Sequence, residues 1–114
     1  MEKRVLGKTG LAVAPLGFGG AEIGFEKASQ DIAGRLLNEA LDAGLNVVDT
    51  AECYLESEEL IGRVVSHRRG DYHLFTKTGH PEGFENEKWD RASIASTLER
   101  SLKRMNTDHV DLLQ

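Results

Sequence analysis

Apolar and polar positions along this chain alternate between two rhythms. The first fifteen residues carry two short apolar runs, Arg4-Val5-Leu6 and Leu11-Ala12-Val13-Ala14. Gly7-Lys8-Thr9-Gly10 between them supplies residues tolerant of positive φ, so the segment predicts a β-hairpin, and Pro15 marks its exit. Leu16 to Gly20 reads as a short strand running into glycine, followed by Ala21-Glu22-Ile23-Gly24. From Ser29 to Ala43, Ile32, Leu36, Leu37, Ala40 and Leu41 recur at helical spacing, and Gly44 falls where a left-handed cap would sit. Leu45 to Asp49 is a nearly continuous apolar run, the mark of a strand covered on both faces.

The rhythm then repeats. A helix is predicted from about Ser57 to His67, with Leu60, Ile61, Val64 and Val65 inward and Gly70 beyond it. A strand follows from about Tyr72 to Lys77, then a long loop, Thr78 to Lys88. Asp90 is a good N-cap for a third helix, with Trp89 and Ile94 spaced as a hydrophobic staple. Ile94, Leu98, Leu102 and Met105 form its apolar stripe, and Val110 to Gln114 reads as a fourth strand. Strands alternating with helices give a parallel sheet through right-handed crossovers, so the fold class is α/β.

Two α/β architectures share this order. A doubly wound dinucleotide fold carries G-x-G-x-x-G at its first turn. Here Gly17, Gly19 and Gly20 give G-x-G-G, and Glu22 stands where the third glycine belongs. The better fit is a (β/α)8 barrel, which gathers functional groups at the carboxyl ends of its strands. Such a barrel needs roughly 250 residues. The 114 residues here are expected to form its amino-terminal half, residues 16–114 as β/α units behind the hairpin of residues 1–15, ending in the fourth barrel strand. The chain is accordingly expected to be a fragment of a larger barrel domain.

Candidate chemistry lies where the barrel rule puts it. Asp49 and Lys77 close two successive strands, and Tyr54 sits in the loop after the first. A carboxylate, a phenol and an ammonium at one rim make a usable proton-donor arrangement. A phenol is a weak acid at neutral pH, and an adjacent ammonium favours its ionised form. A carboxylate beside that ammonium would hold it charged and oriented.

The net charge of −5 argues against nucleic-acid binding. No apolar run suits a secretory signal or a membrane span. With Cys53 as the single cysteine, no internal disulfide forms, which favours a cytoplasmic setting. Cys53 itself reads as a small loop residue rather than a redox centre. His67-Arg68-Arg69 reads as a solvated helix end in preference to a phosphate site. His80 reads as a surface histidine, Glu58 as a first-turn acid favoured by the helix dipole, and Asp111 as a structural contact.

Several ordered segments resemble the aldo-keto reductase family. They are Arg4 to Val13, Leu16 to Gly20, Gly44 to Tyr54, Ser57 to Gly62, Phe75-Thr76-Lys77, Ser101 to Met105 and Asp108 to Gln114. The resemblance is to bacterial single-domain members that reduce sugars and aldehydes, and it covers essentially the whole chain. It implies a barrel oxidoreductase reducing a small-molecule carbonyl with NADPH, less often NADH. It implies Tyr54 as proton donor supported by Asp49 and Lys77, and a cofactor lying near Gly19, Gly20 and Asp49. A strand-to-loop turn explains Gly19-Gly20 equally well. The family's second donor, a histidine, would fall beyond Gln114. His109 cannot replace it, because it precedes the strand at the opposite rim. The 114 residues alone are therefore expected to be inactive. A second reading is a non-catalytic half-barrel module that pairs with its own copy or with a separate carboxyl-terminal half.

Overall fold

The computed structural model describes residues 1–114. Strands β1 (Arg4–Val5) and β2 (Ala12–Val13) pair antiparallel as the expected hairpin. Gly7 and Gly10 take φ of 52° and 78°, which the tight connection requires. Four strands follow, β3 (Phe18–Gly19), β4 (Val47–Asp49), β5 (His73–Thr76) and β6 (Leu112–Leu113). They form one parallel sheet in sequence order. Helices α1 (Ala21–Phe25), α2 (Gln30–Asp42), α3 (Ser57–Val65) and α4 (Arg91–Arg104) connect them.

The caps explain where the helices begin. Ser29 Oγ accepts the Ile32 N–H at 3.2 Å, and Asp90 accepts the Ser93 N–H at 2.9 Å. Gly44, at φ 102°, reverses the chain after α2. Segment Ala21–Phe25 turns out to be a short helix, whereas the apolar pattern marks no element there. Helix α3 also ends earlier than expected, and Ser66–Asp71 tightens into 3-10 geometry.

The hairpin closes the amino-terminal end of the sheet. Asn46 does this with its side chain, accepting the Ala14 N–H at 2.7 Å and donating to the Ala12 carbonyl at 2.9 Å. Its backbone carbonyl meanwhile accepts the His73 N–H at 2.7 Å, so Asn46 also opens the pairing of β4 with β5.

Two apolar stripes are displaced from the expected ones. On α2 the buried row is Ala33, Leu37 and Leu41, while Ile32 and Leu36 are 54% and 47% exposed. On α4 the fully buried positions are Thr97, Ser101 and Met105, and Ile94, Leu98 and Leu102 are half-buried. Close helix approach selects the small residues. A Cβ on Gly62 of α3 would collide with the Arg104 carbonyl and Met105, so the two helices meet backbone to backbone there. Val48 and Leu74 of the sheet, with Leu60, Ile61 and Val65 of α3, complete the core.

The basic cluster is not a solvated helix end. Arg68 bonds Asp42 and Asp71, both at 2.9 Å. Arg69 bonds Asp111 at 2.8 Å and donates to the carbonyls of Tyr72 and His109. Asp111 also accepts the Leu74 N–H at 2.7 Å, the structural role expected of it. Burial pushes the Asp111 pKa up, but the Leu74 and Arg69 bonds outweigh it and leave it below the ordinary carboxylate value. No helix is long and apolar enough to cross a membrane.

Candidate active site

Parallel pairing of β4 with β5 brings Asp49 beside Phe75, two residues before Lys77. The Lys77 Nζ therefore reaches back across the rim. It donates to Asp49 Oδ1 at 2.8 Å and to the Thr50 carbonyl at 2.9 Å. Its charge also lies 4.9 Å from the centre of the Tyr54 ring. The three residues singled out in the sequence thus converge at the carboxyl ends of the strands. Burial lowers the Lys77 pKa, but the hydrogen bond and charge of Asp49, aided by the Tyr54 phenol, more than offset that and leave it raised. The lysine is an ammonium throughout the neutral range.

Tyr54 is held by its backbone. Its N–H donates to the Ala51 carbonyl at 3.1 Å, and its carbonyl accepts the Ser57 N–H at 3.0 Å, starting α3. Gly24 of α1 presses against that same carbonyl so closely that a Cβ would overlap it. The loop is further tied by Thr50 Oγ1 and Ser57 Oγ, 2.8 Å apart.

The two candidate cofactor glycines differ. Gly20 donates its N–H to the Asp49 carbonyl at 2.7 Å, and a Cβ there would come within 2.7 Å of Ser57 Oγ. Its lack of a side chain serves the packing of the rim. Gly19 pairs in register with Asp49, and a Cβ on it would meet nothing within 4 Å. Open space therefore lies over the end of β3 beside the Asp49 carboxylate.

A cavity of about 260 Å³ adjoins the phenol, lined by Cys53, Tyr54, Lys77, His80, Phe84 and Trp89 among others. Trp89, expected as a staple on α4, lines this cavity. Its ring lies on Gly79, and its Nε1 donates to Glu87 at 3.0 Å. His80 is likewise a wall residue, packing edge-on to Trp89 at 5.6 Å and near Phe84 at 6.1 Å. Phe25 joins from α1, 5.6 Å from the Tyr54 ring and 6.2 Å from that of Phe84. Cys53 has its thiol pKa raised chiefly by burial, which favours the protonated thiol.

Sequence reasoning missed Phe25 and Phe84. The loop Thr78–Lys88 carries no periodicity, and Phe25 belongs to the short helix that the pattern did not mark. Glu58 is more than a first-turn acid. It is fully buried, accepts from Thr76 Oγ1 at 2.8 Å and pairs with Arg104 at 3.1 Å.

Comparison with known proteins places this geometry. Residues 15–114 match the profile of the Aldo/keto reductase family. The chain is 38% identical over 120 residues to the uncharacterized oxidoreductase YqkF of Bacillus subtilis, covering 100% of this chain and 38% of that protein. The holo form of aldo-keto reductase AKR11C1 from Bacillus halodurans superposes with a TM-score of 0.87 at 38% identity, over 100% of this chain and 39% of that one. An aldo-keto reductase from Klebsiella pneumoniae in complex with NADPH gives a TM-score of 0.75 at 27% identity, over 91% and 35%. The chain spans less than half the length of each. Its four-stranded sheet corresponds to the first half of a (β/α)8 barrel.

Proposed function

The chain belongs to the aldo/keto reductase family, and we propose on that footing that it supplies the proton-donor half of a site reducing an aldehyde or ketone. The observation carrying this reading is the 2.8 Å Lys77–Asp49 pair with the Tyr54 ring 4.9 Å from the ammonium. A reduced nicotinamide, NADPH or NADH, supplies the hydride to the carbonyl carbon when bound. The Tyr54 hydroxyl gives its proton to the carbonyl oxygen as negative charge develops there. Lys77 stabilises the phenolate that remains, and Asp49 keeps Lys77 charged and aimed. In the reverse direction the same phenolate takes the proton from an alcohol.

In this reading the nicotinamide lies over Gly19 next to Asp49, where an added Cβ would meet nothing within 4 Å, and Gly20 keeps the strand end tight. These residues would hold one edge of the cofactor. The 114 residues alone leave the Lys77 and Asp49 side chains 31% and 41% exposed. Water there would screen the charges that the reaction needs, so the isolated chain does not turn over in this reading. A cytoplasmic setting accords with it.

The test compares the isolated chain with the same chain joined to the remaining half of the AKR11C1 barrel. NADPH oxidation is followed with simple aldehydes. The joined protein should turn over, and Y54F should reduce kcat by about 10²-fold or more. A correctly folded joined protein with no turnover, or with a fully active Y54F, would refute the reading.

A second reading, assembly of half-barrels, is favoured by two observations. Strands β3 and β6 each have one unpaired edge, and Ile32 and Leu36 stand exposed on α2. Parallel edges of this kind invite pairing with a second copy or a complementary half. Sedimentation decides it, since a stable monomer at high concentration excludes self-pairing.

A further inference from the structure

We infer that Glu52 is a positioning residue, which fixes the loop carrying Tyr54 against the loop carrying the aromatic wall. The inference rests on the carbonyl-reductase reading for its consequence, though not for its geometry. Glu52 lies two residues before Tyr54, and its side chain is only 1% exposed. Its Oε1 accepts the His80 N–H at 2.7 Å, across 28 residues of sequence. Its Oε2 faces the Arg100 guanidinium at 3.7 Å and has no hydrogen-bond partner. Arg100 in turn donates through Nη2 to the Pro81 carbonyl at 3.0 Å. From the other side, Arg104 donates to the Glu52 backbone carbonyl at 3.3 Å.

One buried carboxylate therefore meets two consecutive residues of the wall loop, His80 directly and Pro81 through Arg100. Beyond them the loop closes on itself, with the Lys88 N–H donating to the Gly79 carbonyl at 2.9 Å. His80 and Phe84 lie within that closed loop and the Trp89 ring rests on Gly79 at its base, so the anchor at His80 and Pro81 helps set where the three rings stand relative to the phenol. Burying an ionised group costs free energy unless bonds offset it. A carboxylate kept at this place, with one oxygen short of a partner, is better explained by the loop it holds than by stability.

The experiment measures amide hydrogen exchange and the indole N–H signal of Trp89, the only tryptophan, in the purified chain. E52A removes the His80 acceptor, and the His80 amide should exchange about tenfold faster. The Trp89 signal should shift while Val48 and Leu74 amides keep their protection. E52Q retains an acceptor oxygen and should restore His80 protection. In the joined barrel, E52A should raise KM about tenfold with kcat changed less than about twofold. Unchanged His80 exchange in E52A overturns the inference, as does a loss confined to kcat. If E52A unfolds the core, R100M decides. Faster exchange confined to His80 through Trp89 supports the anchor, and unchanged exchange there overturns it. Absence of turnover in the joined barrel would count against the reductase reading, whereas the exchange comparison tests the anchor by itself.

Discussion

Arg69 and Asp111 meet at 2.8 Å beneath the sheet, at the end opposite Tyr54. The pair joins the turn before β5 to the entry of β6, and the Asp111 carboxylate also accepts the Leu74 N–H. This single carboxylate thus ties a cation to a backbone donor of the neighbouring strand.

Its depressed pKa gives stability a defined pH dependence. A group whose folded pKa lies below its unfolded value stabilises the fold above the unfolded pKa, here near 3.8. That contribution is lost as pH falls through the lower, folded value. Urea midpoints at pH 7, 5 and 3 should therefore drop steeply only in the last interval, and D111N should flatten that drop. A variant with the same acid slope as the parent would show that other carboxylates carry it.

Glu58 and Arg104 should respond unequally to removal. Glu58 is fully buried, whereas the Arg104 side chain is 23% exposed and has Glu59 as a second partner at 3.6 Å. R104M leaves a buried carboxylate with only Thr76, and should cost about 3 kcal/mol. E58Q keeps the Thr76 bond and should cost about 1–2 kcal/mol. Denaturant unfolding of both variants measures the difference, and equal losses would contradict this account.

Gly24 and Gly62 sit at comparable close approaches with different consequences. G62A forces α3 away from α4 and should lower stability by about 1–3 kcal/mol. G24A pushes on the Tyr54 carbonyl. It should lower turnover of the joined barrel by more than its stability loss explains. Melting curves alongside NADPH oxidation separate the two effects.

K77M tests the charged centre. The pair is about a third exposed, so its loss should change stability by less than about 1 kcal/mol. Turnover should nevertheless fall about 10²-fold or more if the ammonium supports the phenol. A variant with near-normal kcat would remove Lys77 from the chemistry.

The sequence was most readable where backbone rules and chemistry coincide. Asp49 and Lys77 end apolar runs, and strand ends of a barrel are where polar groups gather. The cap at Asp90 was readable for the same local reason, whereas Ser29, read as the first helical residue, proved to be the cap of α2. Helix faces were not. Ile32 and Leu36 are as apolar as Leu37 and Leu41, so periodicity leaves open which row turns inward, and close packing against α3 decides it. The walls of the cavity were hidden because Phe84 and Trp89 lie in or beside an irregular loop. Their placement depends on Glu52, Gly79 and Arg100, which come together only in three dimensions. Arg69 was misread because its partner Asp111 is 42 residues away.

The link between Lys77 and Asp49 spans only 28 residues, the two strands and single helix of one crossover. Loops of that length close at small entropic cost. Both residues are also synthesised before any later strand of the barrel. The charged centre can thus form once one strand–helix–strand unit has docked, long before any barrel closes. The contact between Lys77 and Asp49 would then need none of the later strands for its formation.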